Sequence, residues 1–167
     1  AEGGKFKIAP WDYRFYAEKV RKAKYDLDQN EVKPYLQLEK LREGMFWTAG
    51  ELFDLGFKQL FDVPVYHPDV VTYEVFDHDG KSIAIYYLDF YTRDSKIGGA
   101  WMSNFVEQSY LLGTKPVIVN CYNYQKPAPG KPSLISFDDV STIFHEFGHS
   151  IHGMFASQKY PSLSGTN

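Results

Sequence analysis

The chain of 167 residues holds a single cysteine, Cys121, so no disulfide can form within it. Lying in an apolar run, Cys121 reads as a buried thiol, with a nucleophile as the alternative. Charge is never gathered into a block of one sign: 18 Lys and Arg stand against 21 Asp and Glu, for a net charge of −3. This balance argues against partners that are polyanions, whether nucleic acid or an anionic membrane surface. No apolar run approaches bilayer-spanning length, and Ala1-Glu2-Gly3-Gly4-Lys5 lacks the charged-then-apolar layout of a signal peptide. An initiator Met is also missing, which leads us to expect a mature or excised segment. The expected compartment is the cytoplasm, with the periplasm as the alternative. One further absence matters below: no Asp or Glu follows Glu146.

What is present is apolar and aromatic, 44% of residues being hydrophobic, with 13 Phe, 13 Tyr and 3 Trp. Such a composition predicts a packed core, and without a repeat or a composition break it predicts one domain over residues 1–167. Ala9-Pro10 opens a helix expected from Trp11 to Tyr25, with the polar cluster Asp26 to Asn30 as its stop. A second helix is expected from about Pro34 to Gly56, carrying Leu38, Leu41, Met45, Leu52 and Phe53. The period then changes. Thr72–Phe76 and Ile83–Leu88 flank a turn at Asp79-Gly80 and predict a hairpin, and Pro116–Tyr122 predicts a third strand. Arg93 to Asn104, with Gly98-Gly99, is expected to be loop, as is the proline-rich stretch Gln125 to Ser133. The expected fold class is α+β: N-terminal helices, a small antiparallel or mixed sheet and a C-terminal helix.

That last helix has the clearest start signal, because Ser136 and Asp139 form a capping-box pair. Val140, Ile143, Phe144, Phe147, Ile151, Met154 and Phe155 then recur at helical spacing as an apolar stripe. At about 100° per residue, His145, His149 and His152 fall on the far side, with Glu146 expected to flank them on the same non-core surface. His145-Glu146-Phe147-Gly148-His149 is an H-E-x-x-H pattern. Residues four apart stack one turn above each other, so both imidazoles can reach one Zn²⁺. The intervening Glu146 is free of the metal and can take a proton from the attacking water and deliver it to a leaving amine. A third histidine ligand on the same segment would need Gly at 152 and His at 155, where His152 and Phe155 stand. His152 lies about 10 Å of helix rise from His145, too far to share its ion, and reads either as a group beside the metal or substrate or as a merely hydrogen-bonded histidine. With no acid after Glu146, a carboxylate ligand within the chain has to come from upstream, from residues such as Glu107 or Asp89, and only if the fold brings them close.

Phe144–His152, preceded by Phe137-Asp138-Asp139-Val140, resembles the zinc oligopeptidases of the thimet oligopeptidase family. Arg93–Lys96, Gly98–Met102, Asn123–Pro127 and Ser162–Asn167 look like the bacterial peptidyl-dipeptidase, or dipeptidyl carboxypeptidase, branch, and the likeness runs from about Trp11 to the end. The resemblance implies a metallopeptidase that removes dipeptides from the C-termini of short peptides in a deep channel. It assigns His145 and His149 as zinc ligands and Glu146 as general base, and implies that the third ligand is a glutamate on a later helix past Asn167. Family members are longer and mostly helical, so the chain resembles an internal catalytic-centre piece whose missing partner is the C-terminal part of a parent enzyme. Alone, it is expected to be inactive. Two readings of the sheet accompany these: Val117 to Tyr124 as an edge for an extended peptide or as a core strand, and Tyr86, Tyr87, Tyr91 and Tyr124 as channel lining or as core.

Overall fold

The computed structural model describes residues 6–25 and 29–166, and of Gln29 and Asn30 the backbone alone. Its elements are α1 (Tyr13–Tyr25), α2 (Gln29–Val32), α3 (Leu38–Phe53), β1 (Gly56–Leu60), β2 (Val71–Phe76), β3 (Ser82–Tyr91), β4 (Trp101–Val106), β5 (Val117–Tyr124) and α4 (Phe137–Met154). The fold is α+β with a mixed sheet. Ala1–Lys5 and three residues of the expected stop, 26–28, lie outside the described residues, and Gln29 opens the short α2.

Strand order is β1-β2-β3-β5-β4. The hairpin β2–β3 is antiparallel as its turn chemistry predicts, and Gly80 takes the positive φ of 73° that the turn demands. Beyond it, β5 runs parallel to β3, which requires a crossover; residues 92–116 make it and lay β4 antiparallel on the outer side of β5. Side chains alternate across the sheet, so Ala84, Tyr86, Leu88 and Phe90 of β3 and Ile118 and Tyr122 of β5 all point to one buried face. Met45 and Ala49 of α3, with Ile143, Phe147 and Met154 of α4, complete that core. Phe46 joins the layers, stacking on Phe57 at 4.1 Å and meeting Phe147 at 6.3 Å between ring centroids.

Three expectations change. Pro34 sits in a separate 3₁₀ turn, Lys33–Tyr35, and the chain then extends so that Gln37 bridges Leu134 before α3 begins at Leu38. The helix ends at Phe53, not Gly56, because Asp54 adopts a left-handed conformation, and Gly56 opens β1 instead. That strand, Gly56-Phe57-Lys58-Gln59-Leu60, has no β-branched residue to announce it; its pairing with β2 makes it a strand. Likewise the last third of the expected loop Arg93 to Asn104, from Trp101 on, belongs to β4, held by β5, while Gly98-Gly99 stays in the loop. Near the N-terminus α1 forms where expected but buries none of its residues.

Candidate metal centre

Ser136 caps α4: its Oγ accepts the Asp139 N–H at 3.1 Å and the Asp139 carboxylate accepts the Ser136 N–H at 2.8 Å. From there the helix buries Ile143, Glu146, Phe147, Ser150, Gly153 and Met154. Gly153 permits the close seat, since an added Cβ would stand 2.8 Å from Ile118 Cδ1 and 3.0 Å from Met102 Cε. His145, His149 and His152 share the exposed side as the periodicity predicts. Glu146 does not share it. At 9% exposure it belongs to the sheet-facing side, because it follows Ile143 by three residues and so lies only about 60° round the helix from it. Phe144 and Phe155, assigned to the stripe, are instead 38% and 45% exposed at its margins.

The Nε2 atoms of His145 and His149 are 3.2 Å apart, with the rings nearly perpendicular. Two nitrogens each about 2.05 Å from one tetrahedral ion stand roughly 3.3 Å apart, so the pair has the separation that zinc requires. Among the described residues no donor is hydrogen-bonded to the Glu146 carboxylate, nor does any group bond to the His152 ring. Both stay available.

Neither upstream carboxylate joins the pair. Asp89 points to the opposite face of the sheet from α4, where it is fully buried and bound by Arg93 through two hydrogen bonds of 2.8 Å and by Lys96 at 3.1 Å. Burial alone would raise its pKa, but the hydrogen bonds from Arg93 and Lys96 outweigh this and hold it below the ordinary carboxylate value. Glu107 accepts from Asn104 Nδ2 at 2.9 Å. Among the described residues, no three His, Cys, Asp or Glu side chains gather into a group able to hold a metal ion.

Under α4 lies a polar cluster that sequence reasoning did not pick out. Asn120 Nδ2 donates to the Glu146 main-chain carbonyl at 3.1 Å, and Asn120 Oδ1 accepts from Ser150 Oγ at 2.7 Å and from the Tyr86 hydroxyl. An asparagine inside the apolar run Val117–Cys121 was the available signal. Burial pushes the Tyr86 phenol well above its ordinary pKa, so it keeps its proton and donates it to Asn120 Oδ1. The fold also decides between three other pairs of alternatives, that of the tyrosines for Tyr86 alone. β5 lies between β3 and β4, so its backbone is no free edge, and Tyr86 is core. Cys121 is buried, and burial raises its pKa, which suits a thiol and not a nucleophile.

A helix that presents two converging imidazoles and a buried glutamate between them is of the metallopeptidase type. The chain belongs to peptidase family M3, whose model matches residues 1–167. It is 59% identical to dipeptidyl carboxypeptidase of Escherichia coli (strain K12), over 98% of the chain and 24% of that protein. The corresponding protein of Salmonella typhimurium (strain LT2) is 58% identical over 99% of the chain and 25% of its own length. Oligopeptidase A of Escherichia coli is 36% identical over 99% of the chain and 25% of that protein. The chain thus spans about a quarter of the length of the curated relatives it matches. No helix among the described residues is long and apolar enough to cross a membrane.

Proposed function

We propose that these residues are the zinc-binding segment of a longer metallopeptidase that hydrolyses short peptides and releases C-terminal dipeptides. The observation that carries the reading is the 3.2 Å approach of the His145 and His149 Nε2 atoms beside buried Glu146. The names of the two most similar relatives reported above, both dipeptidyl carboxypeptidases, support the choice of substrate end. His145 and His149 hold the ion as neutral imidazoles, and a glutamate past Asn167 completes the ligand set. When bound, zinc supplies Lewis acidity at the scissile carbonyl and lowers the pKa of the attacking water. Glu146 takes the proton of that water and hands it to the leaving amine; partial burial keeps bulk water from competing for its carboxylate. The peptide lies along β4, the strand on the open side of β5, where it can add main-chain hydrogen bonds with no demand on side-chain identity.

The test is Glu146→Gln in the full-length enzyme. Zinc content is expected to stay stoichiometric while kcat falls on the order of 10²–10⁴, because the amide cannot accept the proton. Turnover like that of the wild type would overturn the assignment.

A further inference from the structure

Three successive inward-facing residues of β5 donate hydrogen bonds to main-chain carbonyls of α4. Asn120 Nδ2 reaches Glu146 at 3.1 Å, the Tyr122 hydroxyl reaches Ile143 at 3.4 Å, and the Tyr124 hydroxyl reaches Asp139 at 3.3 Å. The donors step by two along the strand and the acceptors by three or four along the helix, so the two periodicities run in step for two turns. Carbonyls inside a helix already accept an N–H from the next turn; here each takes a second donor. An apolar contact tolerates sliding, whereas a row of directional bonds does not.

We propose that this ladder fixes the axial register of α4 on the sheet, and that Asn120 is the positioning residue for the proposed peptidase site. Its rung falls at Glu146 itself. Asn120 is completely buried, where an unpaired amide is costly, and all its observed bonds converge on this point. Ser150 Oγ braces it by binding both Asn120 Oδ1 and the Glu146 carbonyl, the latter at 3.2 Å, while Tyr86 holds Oδ1 from β3. On its other side Asn120 is in register with Met102 of β4. One side chain therefore ties the height of the general base to the strand along which the peptide is proposed to lie. Loss of the rung lets α4 settle differently on its apolar face, and Glu146 then meets the water and the scissile bond out of line.

The inference rests on the proposed function, and the experiment separates the two. In the full-length zinc-loaded enzyme, Asn120→Leu is expected to lower kcat on the order of 10², with KM and zinc content close to those of the wild type, since a misplacement of about 1 Å is enough for such a loss. Val75→Ala serves as the control for stability: it cuts the same core, on β2, away from the ladder, and should lower Tm without changing kcat per bound zinc. Amide exchange of the metal-free protein gives a readout apart from turnover. Residues 143–150 should exchange several-fold faster in Asn120→Leu, and not in Val75→Ala. If Asn120→Leu keeps full kcat per zinc while Glu146→Gln is inactive, the positioning role is overturned and the proposed function stands. Wild-type turnover of Glu146→Gln would overturn both.

Discussion

Glu146 and Asp89 are both buried carboxylates, and what meets each of them separates their roles. Asp89 is saturated by Arg93 and by Lys96, whose ammonium also binds the main-chain carbonyls of Asp89, Tyr91 and Tyr122. It anchors the loop after β3. Asp89→Asn should destabilise the protein by about 3–5 kcal/mol in urea denaturation, because Lys96 would be left buried without its counter-charge. The histidine pair makes a different demand. His145→Ala or His149→Ala in the full-length enzyme is expected to lose the metal itself, read as zinc per protein after dialysis, since water replaces an imidazole poorly. A variant keeping stoichiometric zinc would place the ligands elsewhere.

Among the elements, α4 was the most readable from sequence and β4 the least. The helix announces itself three times over, through the Ser136–Asp139 box, a 3.6-residue apolar period and the histidine spacing, all local in sequence. Ser136→Ala should therefore cost about 1 kcal/mol, seen as a lowered Tm with kcat per bound zinc unchanged, because the change frees a backbone N–H at the opposite end of α4's first turns from the histidines. The burial of Glu146 was misread because it stands at the margin of the apolar face, where a few tens of degrees decide between core and surface. β1 and β4 were missed for another reason: Gly56–Leu60 and Trp101–Val106 become strands through partners distant in sequence, and no local pattern encodes that. Asn120 illustrates the same limit. Its position in an apolar run was visible, but the helix carbonyl it serves lies 26 residues on.

For the molecule as a whole, two outcomes are expected. With two histidines and no third ligand group among the described residues, the 167-residue chain alone should bind zinc weakly and reversibly and show negligible peptidase activity. Equilibrium dialysis checks this, and chelator-resistant zinc with efficient dipeptide release would contradict it. Stability should also depend on acid through Asp89. Its folded pKa lies below the ordinary 3.8, so its contribution is complete above that value and disappears as pH falls through the folded one; Asp89→Asn should flatten that acid slope. The topology carries one more consequence. Within the described sheet β4 pairs with β5 alone, so its other edge is open to a further strand, while Met102 against Gly153 and Phe105 against Tyr66 and Tyr87 hold it in place. A peptide lying along it would turn a border strand into an interior one, and its arrival would be recorded as slowed deuterium uptake across Trp101–Val106, a binding signal that needs no cleavage.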